Sequence, residues 1–224
     1  MVVPTSKQEG AGRGIMSVVS LPDEELLGLA KRVIQQDILV LESIQGNLGD
    51  EFCACARKLA SCTGIIWITG VGTSAYVGQR FAHILTCSGV RSMFLSPIEG
   101  LHGHSGIFRP MDLLVVISRG GESEEVVEMA QIAHRLSIPV MALVQNLESR
   151  LAKLANLVLP IQSPDEYELG GYLATTSTVV VSAICDAICA VILRERGNSL
   201  HNLVDTHPGG AVGRFLRSKS KPHP

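Results

Sequence analysis

The chain has no long basic tract, and this absence argues against nucleic acid as a main partner. Its 19 lysines and arginines nearly balance 21 aspartates and glutamates, and no basic run longer than a pair occurs before residue 217. A nucleic-acid binder needs a concentrated positive footprint, which is missing here. With 224 residues, the chain is long enough for one domain with a substantial core.

An uninterrupted apolar span and a secretory signal are also missing. The stretch 173–193 comes closest to a membrane span, but Asp186 and several hydroxyl groups interrupt it, and this pattern favours a buried core helix. Residues 1–15 contain neither an apolar core nor an arginine-rich amphipathic pattern. We therefore predict a cytoplasmic protein without a membrane partner, with a disordered leader at 1–19.

The cysteines do not form a disulfide framework. They lie in helix-like or apolar segments, and no C-x-x-C pair occurs. This distribution predicts free thiols in a reducing compartment. The six residues are Cys53, Cys55, Cys62, Cys87, Cys185 and Cys189.

Short apolar runs of strand length alternate with helical patterns along the chain. This alternation predicts right-handed crossovers and a parallel sheet with helices on both faces. The near-continuous apolar character of the runs agrees, because the strands of such a sheet are covered on both sides. The apolar runs are 64–70, 93–95, 113–118, 140–144 and 157–161, and the helical patterns are 20–48, 50–61, 74–88, 123–136, 149–155 and 175–196.

The first helical pattern has a start signal and an apolar stripe. Ser20 or Asp23 can cap it, and acidic residues fill its first turn. Apolar residues such as Leu26, Ile34 and Ile38 then recur at helical spacing. We expect an amphipathic helix here.

Two of the predicted strands end in loops that are typical of phosphate binding. After the first strand, Gly70 and Gly72 allow a tight turn, and Thr73 and Ser74 follow at the start of a helix. In open α/β sheets, ligands bind beyond the carboxyl ends of the strands, where helix N-termini favour an anion. This loop therefore offers hydroxyls and backbone N–H groups to a dianionic phosphate.

The sequence SRGGES, residues 118–123, repeats this design after the third strand. Gly120 and Gly121 permit an anion-binding nest, Ser118 adds a hydroxyl, and Ser123 is expected to cap the next helix. Either loop alone can be explained as a glycine turn before a capped helix, but two on successive crossovers favour a phosphate site. The first loop has neither the third glycine of a dinucleotide motif nor the lysine of a P-loop.

Three motifs resemble the sugar isomerase (SIS) domain, in particular that of the D-arabinose-5-phosphate isomerases. They are GVGTSAYVGQRFA at 70–82, ISRGGESEEVVE at 117–128 and THPGGAVGR at 206–214. The first two are general to SIS proteins, and the third is more specific to the arabinose-5-phosphate type. The resemblance implies a three-layer αβα sandwich with a five-stranded parallel sheet. We place the SIS domain at 20–217 and a flexible tail at 218–224.

The same resemblance implies an aldose–ketose isomerase that interconverts D-ribulose 5-phosphate and D-arabinose 5-phosphate through an enediol. Neither a metal nor another cofactor is expected. The resemblance also implies a homo-oligomer, a dimer of dimers, with active sites where subunits meet. Because the chain ends at Pro224, we expect a version without the two regulatory CBS modules that common members carry.

The candidate acid–base residues that the resemblance implies are Glu125, Glu166 and His207, with His102 as a further candidate near the substrate. Each has an ordinary alternative role. Glu125 would stabilise the dipole of its helix, Glu166 would be a surface-loop acid, and His207 would be structural. The proline after His207 restricts the backbone and is expected to expose the imidazole. His102 and His104 alone are too few ligands to indicate a zinc site.

The first two motifs depart from the family pattern. Thr73 stands where the family normally has a lysine near the substrate, so one charge-assisted contact worth about 1.5–3 kcal/mol is missing. Gly120 replaces a frequent serine, whereas Arg119 can restore positive charge beside the loop. The Gly-Thr-Ser sequence of the first loop also resembles the isomerase half of glucosamine-6-phosphate synthase, which handles a sugar phosphate.

Two other functions stay open. The missing lysine favours a non-catalytic module that binds and senses a sugar phosphate or sugar nucleotide. An isomerase of another phosphosugar, such as a phosphohexulose or a ketoheptose, is the other alternative, and the His-Pro-Gly-Gly motif argues against it. The sequence does not decide whether Glu166 or His207 is the base.

Overall fold

The structure, a computed structural model, describes residues 20–197 and 206–220. The strands are β1 (Ile66–Gly70), β2 (Ser92–Phe94), β3 (Leu113–Ile117), β4 (Val140–Val144) and β5 (Leu157–Pro160). The α-helices are α1 (Asp23–Asn47), α2 (Asp50–Ala60), α3 (Thr73–Cys87), α4 (Pro97–Leu101), α5 (Glu124–Arg135), α6 (Arg150–Leu154), α7 (Thr176–Glu195) and α8 (Gly210–Ser220). Short 3-10 helices cover His104–Ile107 and Asp165–Tyr167.

The strands form one parallel sheet in the order β2-β1-β3-β4-β5. The chain therefore builds from β1 to β2 on one side and then through β3, β4 and β5 on the other. Each apolar run that the sequence predicts as a strand overlaps an observed strand. The predicted α/β fold with a five-stranded parallel sheet is confirmed.

Helices cover both faces of the sheet and give three layers. Ile66 and Ile68 of β1 pack into a core with α1, α2, α3 and α7. Trp67, between them, packs into a second core with α4, α5 and α6. Successive side chains of a strand point to opposite faces, so a strand between two helical layers needs apolar residues at nearly every position.

Helix α7 is the apolar stretch that the sequence analysis assigned to the core. Among the described residues, it is the one helix long and apolar enough to span a membrane, with a mean hydropathy of 2.1, and half of that stretch is buried inside the protein. Ile184 and Ile188 are buried, and Asp186 makes a bidentate ion pair with Arg80 of α3 at 2.8 Å. A core helix meets the same compositional criteria, so the hydropathy is only a weak indicator of a membrane.

Helix α1 differs from the prediction at its start and in its burial. Pro22 occupies the N-cap position and no side chain caps the helix, so the N-cap roles predicted for Ser20 and Asp23 are wrong. Val40 is the one residue of α1 that is fully buried. Six large apolar side chains of α1, together named the α1 apolar surface, are each 42–60 % exposed: Leu26, Leu27, Leu29, Ile34, Ile38 and Leu39.

All six cysteines are free thiols, as predicted. Burial raises the pKa of Cys55 to about 11 and that of Cys189 to about 12. Both thiols are therefore protonated and weakly nucleophilic at neutral pH.

The ends of the chain are described only in part. The predicted leader 1–19 lies outside the described residues, as do residues 198–205 and 221–224. Helix α8, which the sequence analysis did not predict, runs to Ser220 and includes the first residues of the predicted tail. The proposed domain boundaries stay a prediction.

A buried carboxylate ties the segment before β3 to β1. Asp112 is 4 % exposed and accepts three hydrogen bonds. The donors are the indole N–H of Trp67 at 2.9 Å and the backbone N–H groups of Ile65 at 2.8 Å and Arg109 at 2.9 Å. Trp67 also contacts Phe108, with ring centroids 5.5 Å apart. Asp112 therefore holds the segment before β3 against β1, next to the second core.

We expect Asp112→Ala to lower the free energy of unfolding by about 2–4 kcal/mol, because three donors lose their acceptor together. Urea unfolding followed by circular dichroism measures the change. Glu148→Ala removes an exposed carboxylate that pairs with Lys153 and should change the same free energy by less than about 0.5 kcal/mol. Equal losses in the two variants would contradict the role given to Asp112.

Candidate functional site

The loops after β1 and β3 emerge side by side at the carboxyl edge of the sheet. Gly70, the last residue of β1, pairs in register with Ile117, the last residue of β3. From β1 the chain crosses to β2 on one side, and from β3 it crosses to β4 on the other. A crevice opens at such a switch point, and ligands of open α/β sheets bind there.

Close packing holds both loops against the sheet. A Cβ atom on Gly70 would lie 3.0 Å from the carbonyl oxygen of Ile117, so a larger residue would force β1 and β3 apart. Gly121 has a φ of 69° and packs on Ser149, whose Oγ a Cβ atom would overlap. Glycine is therefore required by the backbone at Gly121, and at Gly70 a side chain would crowd the pairing of β1 with β3.

Helix α3 begins at the first loop without a side-chain cap. Gly72 is its N-cap residue, with a φ of 57°. Thr73 is exposed at the first helical position, and Ser74, the next residue, is half-buried. The first N–H groups of the helix and two hydroxyls therefore face the loop region, an arrangement that can bind an anion.

The second loop surrounds the start of α5. Ser118 is buried, and its hydroxyl accepts a hydrogen bond from the N–H of Gly121 at 3.3 Å, so it shapes the loop. Gly120 is exposed, with open space where a side chain would lie. Ser123 occupies the N-cap position, but its side chain makes no capping hydrogen bond, which corrects the expectation that it caps α5. The hydroxyl of Ser123 therefore does not satisfy the first N–H groups of α5, and Ser123 is not among the residues that line the cavity between the loops.

A small cavity separates the two loops from the start of α7. Thr73, Ser74 and Arg119 line it from the loops, and Ser177 and Thr178 line it from α7. Its volume of about 20 Å³ accommodates one water but not a phosphate group. A hollow of about 310 Å³ lies farther out, between α1, α2 and the edge strand β5, away from both glycine loops. The switch point is the better candidate because helix N-termini and hydroxyls converge there.

The acidic residues around the start of α5 differ in their partners. Glu122 and Glu124 both pair with Arg150, and its hydrogen bonds lower the pKa of both carboxyls. Glu125 is half-buried and makes no ion pair with any described residue. Of the two carboxylates in the first turn of α5, Glu124 pairs with Arg150, whereas Glu125 has no ion-pair partner among the described residues.

The 3-10 helix Asp165–Tyr167 brings Glu166 to the same edge of the sheet. Arg119, in the second loop, donates hydrogen bonds to the carboxylate of Asp165 at 2.5 Å and to the carbonyl oxygen of Ser163 at 3.1 Å. Glu166 is exposed beside these contacts. Arg119 therefore links the second loop to the segment that carries Glu166, one of the candidate acid–base residues.

Glu168, two residues later, was not identified from the sequence. Its carboxylate is buried and accepts hydrogen bonds from the backbone N–H groups of Thr175 at 2.5 Å and Ser177 at 3.1 Å, at the start of α7. Burial by itself raises the pKa of Glu168, but the hydrogen bonds from Ser177 and Thr175 and the charge of Arg119 outweigh it and lower the pKa. The sequence signal that could have identified Glu168 is an acidic residue shortly before a long helix, because the N-terminus of a helix favours a negative charge.

His102 ends α4, which follows β2, and both His102 and His104 are exposed. Because β2 neighbours β1 and runs parallel to it, α4 follows a strand that ends at the same edge of the sheet as the two loops. In the part of the chain that the structure describes, no group of three or more histidine, cysteine, aspartate or glutamate residues could hold a metal ion.

His207 lies at the opposite end of α3 from the two loops. Its Nε2 is 3.3 Å from the Sγ of Cys87, the last residue of α3. The ring is half-buried, so the expectation of an exposed imidazole is wrong. Helix α3 has 15 residues, which puts Thr73 and Cys87 about 21 Å apart along the helix axis. Within one chain, His207 does not reach the loops.

The architecture is that of a doubly wound α/β protein whose candidate site lies where the strand order reverses. The chain belongs to the SIS domain family, whose sequence model matches residues 58–190. The matched span contains both glycine loops, the 3-10 helix Asp165–Tyr167 and most of α7.

Similar proteins handle phosphorylated sugars. Arabinose 5-phosphate isomerase KdsD of Salmonella typhi is 30 % identical over 186 residues, which cover 83 % of this chain and 57 % of that protein. This chain therefore spans less than two thirds of the relative's length.

Two solved structures share the fold. E. coli CFT073 c3406 in complex with arabinose 5-phosphate has a TM-score of 0.80 at 22 % identity, covering 84 % of this chain and 100 % of that chain. The Vibrio vulnificus NanR protein complexed with ManNAc-6P has a TM-score of 0.64 at 20 % identity, covering 86 % and 67 %. At these identities, the likeness shows the fold alone.

We expect Glu168→Gln to lower the free energy of unfolding at pH 7 by about 1.5–3 kcal/mol, because a neutral amide accepts weaker hydrogen bonds from the start of α7. The folded-state pKa of Glu168 lies below its ordinary value of 4.5. The carboxylate therefore stabilises the fold fully above about pH 4.5, and this contribution is lost as the pH falls through the folded-state pKa.

Urea unfolding at pH 7, 5 and 4 tests this dependence. The gap between wild type and Glu168→Gln should be constant from pH 7 to 5 and should narrow at pH 4. Glu166→Gln, two positions away and exposed, is the matched control and should follow the wild-type curve. A gap that stays constant down to pH 4 would show that the charge of Glu168 does not stabilise α7.

Proposed function

We propose that the protein is an aldose–ketose isomerase that interconverts D-ribulose 5-phosphate and D-arabinose 5-phosphate through an enediol. The observation that carries this proposal is the pair of helix N-termini, α3 and α5, that begin without side-chain caps at adjacent strand ends. Such termini bind dianionic phosphate. The relative named arabinose 5-phosphate isomerase and the similar fold in complex with arabinose 5-phosphate support a phosphopentose as the ligand.

The reaction moves one hydrogen between neighbouring carbons. A base takes the proton from C1 of the ketose, and an acid protonates the C2 carbonyl oxygen to give the enediol. The proton is then delivered to C2, and the C1 hydroxyl loses its proton as the aldehyde forms. The sugar gains and loses no atoms or electrons overall, so the protein has to supply only positioned acids and bases.

Two carboxylates of the same chain serve this chemistry in the proposal. Glu166 acts as the base, because an exposed carboxylate on the 3-10 helix can approach the sugar carbons that extend away from the phosphate. Glu125 stands beside the second loop without an ion-pair partner among the described residues, and it serves as a second acid–base group that exchanges a proton with a sugar hydroxyl.

His207 supplies the imidazole from a neighbouring subunit in this proposal. The separation of about 21 Å along α3 keeps it from the loops of its own chain. The α1 apolar surface supports an assembly, because several large apolar side chains on one helix stay exposed in the single chain. A homo-oligomer, such as the dimer of dimers predicted above, would cover this surface and bring His207 to the edge of a second site.

A second candidate function is a non-catalytic sensor of a sugar phosphate or sugar nucleotide. Thr73 favours it, because the first loop offers a neutral hydroxyl where the family's isomerases normally have a cation. Binding without turnover would be the signature of this function.

Purified protein incubated with ribulose 5-phosphate should form arabinose 5-phosphate, measured by ¹³C NMR of the sugar carbons. Glu166→Gln and Glu125→Gln should lower kcat by about 10²- to 10⁴-fold, the range for losing a positioned acid or base. Glu124→Gln is the matched control, since its carboxylate pairs with Arg150, and it should stay near the wild-type rate.

The same assay separates the two candidate functions. No turnover across a panel of sugar phosphates would contradict the isomerase. If Thr73→Lys alone were active, the natural chain would be a binder. Activity in wild type that survives both Glu166→Gln and Glu125→Gln would refute the assigned residues and leave the reaction intact.

Mixing two inactive variants tests whether His207 acts across subunits. Glu166→Gln and His207→Ala should each be inactive, but subunits exchanged by mild urea treatment should regain roughly a quarter of wild-type activity, as random pairing in a dimer predicts. A mixture of Glu166→Gln and Glu125→Gln is the control and should stay inactive, because both carboxylates belong to one chain's half of the site. No recovery in the first mixture would place His207 outside the partner's site.

A further inference from the structure

Arg119 is the one charged residue among those that line the small cavity between the loops and α7. Its guanidinium donates hydrogen bonds to the carboxylate of Asp165 at 2.5 Å, to the carbonyl oxygen of Ser163 at 3.1 Å and to the Oε1 of Gln145 at 3.2 Å. It also lies 3.6 Å from the Oε1 of Glu168. All of these partners follow β4 or β5, so the side chain reaches from the second glycine loop to the far wall of the site.

The cavity cannot hold a phosphate group at its volume of about 20 Å³. Other side chains that line it are short hydroxyls, such as Thr73 and Ser177, or branched aliphatics from the core, such as Ile117 and Val181. These have little room to move. Arg119 is long, flexible and 27 % exposed, so it is the lining side chain whose movement most easily opens the space.

We propose that Arg119 is a specificity-determining residue that exchanges Asp165 for the phosphate group of the substrate. The inference rests on the proposed function for its ligand class, a sugar phosphate. In the free protein, Arg119 closes the cavity by pairing with Asp165. When the ligand binds, the guanidinium turns to the phosphate beside its own loop and supplies the cation that Thr73 lacks.

The exchange leaves no buried charge without partners. Asp165 is 75 % exposed and returns to water when Arg119 departs, and an exposed ion pair of this kind is weak. Glu168, which is buried, keeps its hydrogen bonds from Thr175 and Ser177. A guanidinium binds a dianionic phosphate through two parallel hydrogen bonds, which are stronger than its single short contact with Asp165.

The alternative is that Arg119 is a fixed anchor for the segment that carries Glu166. The two roles give opposite results for Asp165→Asn. If Asp165 competes with the phosphate, removing its charge strengthens ligand binding. If Asp165 and Arg119 form an anchor, removing either partner loosens the same segment and weakens binding.

Isothermal titration calorimetry with D-arabinose 5-phosphate tests the exchange, with D-arabinose as the ligand without phosphate. Asp165→Asn should tighten binding of the phosphorylated sugar by about twofold to fivefold, the range that an exposed ion pair allows. Arg119→Gln should weaken it by about tenfold or more, as expected for a lost charge-assisted contact. Neither variant should change the response to D-arabinose.

Glu195→Gln controls for the change in net charge. Glu195 is exposed at the other end of α7, about 26 Å along the helix from Thr178, and its substitution should leave the affinity unchanged. Circular dichroism checks that Arg119→Gln folds. Asp165→Asn changes an exposed residue, so it tests the exchange even if Arg119→Gln does not fold.

The outcomes distinguish a failure of the proposed function from a failure of the exchange between Asp165 and phosphate. A wild-type protein that binds no sugar phosphate would overturn the proposed function and the exchange together. Binding in wild type that weakens, or does not change, in Asp165→Asn would overturn the exchange alone and leave the phosphate site standing.

Discussion

The parallel pairing of Gly70 with Ile117 is the constraint on which the candidate site depends. It brings two strand ends together at the point where the chain leaves in opposite directions, and a Cβ atom on Gly70 would lie only 3.0 Å from the carbonyl oxygen of Ile117. Two helices therefore begin next to each other on opposite faces of the sheet, with their positive ends at one edge. Every other part of the candidate site is arranged around these two starts.

The wall opposite the two loops is held by charge in addition to the packing of Ile161 and Tyr167 in the core. Arg119 ties the segment from Ser163 to Asp165 to the second loop, and Glu168 ties the same segment to the start of α7. In the ligand-free protein, these contacts hold Glu166 between Arg119 and Glu168. The hydrogen bonds of Glu168 to the start of α7 do not involve Arg119, so they continue to position the segment that carries Glu166 when Arg119 turns to a phosphate.

The sequence predicts the sheet well because strands covered on both faces must be apolar throughout, and few other structures share that pattern. The apolar stripe of α1 correctly predicts a helix. The same stripe occurs whether the helix packs on the core of its own chain or on another surface, so the sequence does not predict which of its side chains stay exposed. Ser123 could be placed at a helix start, whereas the direction of its hydroxyl depends on the loop. The contact between His207 and Cys87 joins residues 120 positions apart, which local patterns do not encode. Glu168 lies only seven and nine residues before the N–H groups it binds, but its burial depends on how the fold packs this segment.

Helices α3, α5 and α7 all begin near the candidate site, but their starts are not equivalent. The start of α7 already holds the carboxylate of Glu168 on the N–H groups of Thr175 and Ser177. A second anion arriving there would meet an interior negative charge instead of vacant donors. The start of α7 is therefore not a vacant anion site of the kind offered by α3 and α5, and a second phosphate group placed there would be repelled.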